Sequence, residues 1–201
     1  SDIVVDGAGY TLQGTGNGTG IDVTAISSYV NVTIRDVEIK EFAVGIELTS
    51  FNEGVISGNT ITNNENGIII EGYVVGNIVS GNTIADNSNY GIALITWMPL
   101  HSPAEENTIS ENMIKNNGYG IYLSGSSNNL VYHNNFVDNA VQVYAENSIN
   151  VWDGGCSSGG NHWSDYVGVD GNGDGIGDTQ YVIDAANMDK YPLMNPWTPP
   201  L

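Results

Sequence analysis

Asp170, Asn172, Asp174 and Asp178 put oxygen-bearing side chains within one nine-residue stretch, with Gly175 and Gly177 interleaved. A hard cation such as Ca2+ takes roughly six to eight oxygen ligands, and alternate placement curls them around one point while glycine permits the turn. The backbone carbonyl of Ile176 is counted as a further oxygen ligand. The expected cofactor is therefore Ca2+, held by Asp170, Asn172, Asp174, Ile176 and Asp178 in a structural role. The competing interpretation is a solvated acidic turn. A bidentate ligand for the ion comes from Asp165, from Asp184 or from water.

The remaining reactive residue types are dispersed. Arg35, Lys40, Lys115 and Lys190 are the whole basic complement and do not cluster in one repeat with several aspartates. Copper chemistry wants grouped His and Met, yet His101, His133 and His162 stand in separate repeats with only Met98 near one of them. No catalytic residue is assigned. Paired carboxylates for glycoside hydrolysis stay open, because acidic residues are plentiful. Cys156, the lone cysteine, forms no internal disulfide; it is either a small loop residue or an intermolecular bridge. A formal charge of −19, from 23 acidic and four basic residues, excludes nucleic acid and anionic lipid as partners. No stretch approaches the ~20 apolar residues of a membrane span. Asn17 and Asn31 sit in N-glycosylation sequons, and the chain opens at Ser1 without Met, as a processed N-terminus would.

What positions these residues is a repeat. Gly58-Asn59-Thr60-Ile61-Thr62-Asn63-Asn64 followed by Gly67-Ile68-Ile69-Ile70 recurs as Gly81–Asn87 with Gly91–Leu94, and as Glu111–Asn117 with Gly120–Leu123. Degenerate copies flank these from Gly20 to Val143. The Gly-Ile-x-aliphatic element recurs at residues 20, 45, 67, 91 and 120. A period in the twenties with short alternating segments and no helical pattern indicates a solenoid of strands. The fold class is all-β: a right-handed parallel β-helix of about six coils over residues 1–145, followed by a tail or cap over 146–201 that carries the acidic loop. Coils ~4.8 Å apart bury a continuous column of Ile, Val and Leu and give a rod roughly 29 Å long. Asn59, Asn82, Asn112 and Asn134 recur at an inward corner, where a buried amide needs partners and finds one in the next coil. They are read as a structural ladder.

Two features break the regularity. The insertion over residues 96–104 carries Trp97, Met98 and Leu100, either a contact loop or a flap lying back on the rod. Tyr90 and Tyr119 occupy equivalent repeat positions and form an aromatic column, which stacks on sugars or simply stiffens the coils.

The Asn positions resemble the asparagine ladders of pectate-lyase-like β-helices. The span from Ile3 to about Ala145 resembles the repeat of the periplasmic copper-processing family and of the carbohydrate-binding and sugar-hydrolase group. The tail, with Gly159-Gly160-Asn161-His162-Trp163-Ser164-Asp165-Tyr166 and Asp189-Lys190-Tyr191-Pro192, resembles the closing segment of surface β-helix proteins of methanogenic archaea. Its acidic loop resembles thrombospondin type-three and dockerin calcium loops, and departs from an EF-hand in having Tyr181 where the twelfth-position Glu would stand. These resemblances imply an extracellular or cell-envelope location.

The expected function is a non-catalytic structural protein of the cell surface, a sheath, layer or filament subunit stabilised by calcium. It would self-associate end to end or through a donated strand, because Ile3-Val4-Val5 begins the first coil with nothing upstream. The alternative is a carbohydrate-binding or carbohydrate-cleaving module with cell-surface glycans as partners.

Overall fold

The computed structural model describes residues 3–24, 31–96 and 104–199. Trp97, Met98, Leu100 and His101 lie outside the described residues. The chain winds through six coils, each supplying one strand to each of three parallel sheets. The first sheet stacks Ile3–Asp6, Val32–Arg35, Val55–Ser57, Ile78–Ser80, Thr108–Ser110 and Leu130–Tyr132. The second stacks Thr11–Gln13, Glu38–Lys40, Thr60–Thr62, Thr83–Ala85, Met113–Lys115 and Asn135–Val137, and gains His162–Trp163 from the tail. The third stacks Thr19–Thr24, Val44–Thr49, Asn66–Glu71, Tyr90–Ile95, Tyr119–Ser124 and Val141–Glu146. No helix of the described residues is long and apolar enough to cross a membrane.

The in-register stacking makes the core a set of columns. In the second sheet Leu12, Ile39, Ile61, Ile84, Ile114, Phe136 and Trp163 follow one another coil by coil. Ile39, Ile61, Ile84, Ile114 and Phe136 are fully buried, and each contributes about 1.5–3 kcal/mol by leaving water. At the first coil the column meets solvent, with Ile3, Val4, Val5 and Leu12 exposed.

Corners turn by a shared device. The residue before each ladder asparagine adopts positive φ: Gly58, Gly81, Glu111 and His133 precede Asn59, Asn82, Asn112 and Asn134. One left-handed residue reverses the strand direction locally and swings the next side chain inward. The glycine of Gly-Ile-x-aliphatic has a different cause. A Cβ on Gly67 would lie 2.5 Å from the Gly91 carbonyl oxygen, and one on Gly91 2.6 Å from that of Gly120. Gln142 occupies the equivalent position in the sixth coil, where among the described residues no further strand of the third sheet stacks above it.

Three amide ladders, not one, run along the rod. Asn59, Asn82, Asn112, Asn134 and Asn161 pass Nδ2–H to Oδ1 at 2.9–3.0 Å. Asn64, Asn87, Asn117 and Asn139 form a second at the next corner, at 2.9–3.2 Å, and Asn139 finally donates to Gln142 Oε1 at 2.8 Å. Asn77, Asn107, Asn129 and Asn150 form the third. Within each ladder Oδ1 also accepts the backbone N–H of the asparagine one coil before, as in Asn82 N to Asn112 at 3.0 Å, and the first members, Asn59, Asn64 and Asn77, accept from Val37, Phe42 and Gly54.

The tail closes the C-terminal end. Asn161 extends the first ladder and Asp189 terminates it, its carboxylate accepting the N–H of Asn161 at 2.7 Å, Trp163 Nε1–H at 2.9 Å and the N–H of Tyr191 at 3.0 Å. Burial pushes the Asp189 carboxyl up to about 6 against these hydrogen bonds. An acid whose folded pKa is raised gains proton affinity on folding, so its stability contribution grows as pH falls from 7 through 6 toward its ordinary value near 4. Asp170 runs the other way: N–H donors, Gly175 foremost, hold its carboxyl below the usual range. Its contribution is complete above about pH 4 and is lost below it. The melting temperature is expected to rise between pH 7 and about 5 and to fall below about 4. Asp189→Asn should flatten the rise, as pH-resolved calorimetry would reveal.

Candidate functional site

The outward columns of the third sheet hold the densest functional chemistry among the described residues. Ile46, Leu48, Ile68, Ile70, Ile92, Leu94, Ile121 and Leu123 point into the core, so the alternate positions face out. One outward column reads Asp22, Glu47, Ile69, Ala93, Tyr122, Tyr144. A flanking column includes Tyr90, Tyr119 and Val141, and the other includes Thr49, Glu71, Ile95, Ser124 and Glu146.

Tyr90, Tyr119, Tyr122 and Tyr144 meet as one cluster. Tyr122 and Tyr144 stack with ring centroids 5.5 Å apart and planes within 9°. Tyr90 lies 4.7 Å from Tyr122, in the space that Ala93 leaves where a larger side chain would stand. Tyr119 packs edge-on against Tyr122 and Tyr144. Tyr144 is exposed and the other three are half-buried. Burial, then the neighbouring Tyr90 and Glu146, raises the Tyr122 phenol above its ordinary value, so the hydroxyl stays protonated as a donor.

Asp22, Glu47, Glu71 and Glu146 share these columns, and neither Lys nor Arg stands in them. Thr19 donates to Glu47 at 3.1 Å and Thr24 to Asp22 at 2.9 Å. Aromatic rings beside carboxylates suit ligands with an apolar face and hydroxyl or ammonium donors. They repel polyanions such as uronates.

The acidic loop is pre-folded by its own backbone. Asp170 accepts N–H bonds from Gly173 at 2.7 Å and from Gly175 at 2.8 Å, Asp174 accepts from Ile176 at 2.9 Å, and Asp178 accepts from Gly171 at 2.8 Å. Asn172 donates to Asp174 Oδ2 at 2.9 Å. Among the described residues no three His, Cys, Asp or Glu gather as metal ligands. The loop is tied to the cap through Gly177 N–H to the Pro192 carbonyl and Met194 N–H to that of Gly175. Asp165 instead accepts the Tyr181 hydroxyl at 3.1 Å, and Asp184 folds back on Asn187.

The two described histidines, His133 and His162, bond backbone carbonyls. His133 is a left-handed corner residue; its Nε2 bonds the Ser158 carbonyl at 2.7 Å and its ring stacks on Trp197 with centroids 3.5 Å apart. His162 Nδ1 lies 3.3 Å from the Leu193 carbonyl. Cys156 is exposed in the 153–159 loop, and the sequon residues Asn17 and Asn31 are exposed on the early coils. Arg35 and Lys40 share the second coil, each paired with an acid: Arg35 with Asp6 at 2.7 Å and Lys40 with Glu38 at 3.0 Å.

Tyr90 and Tyr119 were legible from the repeat. The repeat does not mark Tyr122 and Tyr144, although both fill the variable position of the aliphatic element, which alternation aims at solvent.

Comparison with known proteins gives one family. The model described as "Periplasmic copper-binding protein (NosD)" matches residues 4–168. A probable ABC transporter binding protein NosD of Stutzerimonas stutzeri is 42% identical over 77 residues, covering 37% of this chain and 17% of the relative. Its namesake in Pseudomonas aeruginosa is 30% identical over 139 residues, covering 63% of this chain and 31% of the relative. The chain thus spans less than a third of the length of these curated relatives. Among solved structures, the periplasmic alginate epimerase AlgG superposes with a TM-score of 0.46 at 23% identity, over 64% of this chain and 30% of that one.

Proposed function

Since this chain belongs to the NosD family, we propose that it is a non-catalytic β-helix module of the cell envelope that holds a carbohydrate chain against the tyrosine face of its third sheet. The observation that carries this reading is the gathering of Tyr90, Tyr119, Tyr122 and Tyr144 from three successive coils onto a face without Lys or Arg. A regular rod suits a polymer ligand, because its binding groups repeat along the axis as sugar units do.

The copper in the family description does not fit the residues described. His133 and His162 are engaged with backbone carbonyls, and no third ligand joins either of them. No step through copper is derived for this chain.

Calcium in the 170–178 loop has a supporting role in this proposal. The ion would displace the Asn172–Asp174 contact and bind the carboxylate oxygens while the N–H bonds to Asp170 persist. Its role would be structural, in a loop held to the tail at Pro192 and Met194. Adding Ca2+ in excess of its Kd is expected to raise the melting temperature, and chelation to lower it, by mass action on the folded form. Asp170→Ala should abolish that response; a melting temperature indifferent to chelator would refute calcium binding.

The carbohydrate reading is tested on a glycan array followed by titration calorimetry. The wild-type chain should retain an oligosaccharide, and Tyr122→Ala with Tyr144→Ala should weaken it at least tenfold, while the melting temperature moves only slightly. Retention unaffected by the two changes would remove the tyrosine face from the function.

A further inference from the structure

The charges around the tyrosines narrow the ligand class beyond a carbohydrate of any kind. We infer that the third sheet selects a glycan bearing free amino groups, a polymer of unacylated amino sugars, with sugar rings on the tyrosines and ammonium groups at the flanking carboxylates.

This inference rests on the carbohydrate reading of the same face. Tyr144 is exposed at 44%, so the end of the cluster offers apolar ring surface to a ligand. Glu146 is exposed two residues further along the same strand, and its charge is felt at the Tyr122 hydroxyl. On the other side of the cluster the central column continues through Ala93 and Ile69 to Glu47 and Asp22. A linear ligand lying along the rod therefore meets carboxylates at both ends of the aromatic patch. Glu47 and Asp22 accept hydroxyl hydrogen bonds from Thr19 and Thr24, neutral donors that leave their negative charge uncompensated. Among the described residues the ion pairs all lie elsewhere, on Arg35 and Lys40.

A neutral sugar would use the rings and leave these charges without counter-ions. An anionic sugar would be repelled by them. An ammonium group answers both features, because the ring quadrupole and the carboxylate attract it together. The overall charge of −19 raises the local concentration of any cation but cannot supply this geometry.

The test uses two oligosaccharides of one backbone, a β-1,4-linked glucosamine hexamer and its fully N-acetylated counterpart, with an alginate hexamer as the anionic control. Titration of the whole chain near pH 6, where the amines are charged, should give at least tenfold tighter binding for the glucosamine hexamer than for the acetylated one. Alginate should not bind. Glu146→Gln should weaken the glucosamine hexamer severalfold and leave the acetylated one unchanged. Equal affinity for the two would overturn the amino-sugar inference while leaving the carbohydrate reading intact. Glucosamine binding that persists in Tyr122→Ala with Tyr144→Ala, which keeps every charge, would reduce it to diffuse attraction and overturn both. No binding by any of the three would overturn the amino-sugar inference, and the carbohydrate reading would then stand or fall on the glycan array.

Discussion

Replacing Asn112 by alanine is expected to cost about 3–5 kcal/mol of unfolding free energy, several times the effect of any surface substitution. The side chain is fully buried and takes part in five hydrogen bonds. Its two Nδ2 hydrogens are shared among the carbonyls of Val79 and Ser110 and Asn134 Oδ1, all 2.9 Å from the nitrogen. Its Oδ1 accepts both the backbone N–H and the side-chain Nδ2–H of Asn82 at 3.0 Å. Truncation therefore strands the buried backbone N–H of Asn82, leaves the Asn82 side chain with only the carbonyls of Ile56 and Ser80, and deprives three acceptors, one of them on the coil beyond. The stranded N–H dominates, because a carbonyl deprived of one partner often keeps another whereas a buried N–H does not. Asn112→Asp should be no better, since a carboxylate cannot donate to Asn134 and brings a charge into the core. Equilibrium denaturation of Asn112→Ala beside the exposed Thr60→Ala checks this; Thr60→Ala should stay within about 0.5 kcal/mol. A loss below about 1 kcal/mol for Asn112→Ala would mean that the amides do not hold the coils together.

A similar loss, about 3–5 kcal/mol, is expected for Trp163→Ala. Trp163 is 1% exposed and sits between Phe136 and Tyr181, with ring centroids 4.3 and 4.2 Å away and planes within 7° and 5°. It continues the isoleucine column of the second sheet and covers its last coil. Removing the indole opens a cavity, exposes Phe136 and takes from Asp189 one of the donors that support its buried carboxylate. Trp163→Phe keeps most of the stack and loses only the N–H, so it should cost about 1–2 kcal/mol. The near-ultraviolet circular dichroism band of the stacked rings should vanish in Trp163→Ala and survive in weakened form in Trp163→Phe. An unchanged midpoint of denaturation for Trp163→Ala would show that the cap is dispensable.

The solenoid and its six coils are legible because stacking forces every coil to repeat the same corner chemistry. One ladder follows from the repeated Gly-Asn-Thr-Ile unit. The other two are also written in the chain, at an interval of five: Asn77, Asn82, Asn87; Asn107, Asn112, Asn117; Asn129, Asn134, Asn139. Five residues carry the backbone from one inward corner to the next, so the spacing encodes all three. Asp189 as the end of the first ladder is not legible, since 28 residues and the whole acidic loop separate it from Asn161. The tyrosine face is half legible. Tyr90 and Tyr119 align in the repeat, but the approach of Tyr90 to Tyr122 depends on the small Ala93, and a missing side chain leaves no motif. The dispersal of the histidines in sequence argues against a metal site, but the roles of His133 as a corner and His162 as a backbone partner are fixed only by φ and by the docking of the tail.

The ladders also hold the coils at one separation whatever their length. The contact from Asn59 to Asn82 spans 23 residues, that from Asn82 to Asn112 spans 30, and that from Asn112 to Asn134 spans 22, with donor–acceptor distances of 3.0, 3.0 and 2.9 Å. Closing a flexible loop costs entropy as the logarithm of its length, so the longer coil is disfavoured by only about 0.3 kcal/mol relative to the shortest. Segments can therefore be spliced between corners at almost no thermodynamic penalty, provided the corner asparagines are kept. The same arithmetic governs assembly of the chain from its unfolded state. Each coil searches only for the edge of its predecessor, across some two or three dozen residues, and adding coils lengthens the process without making any single step slower.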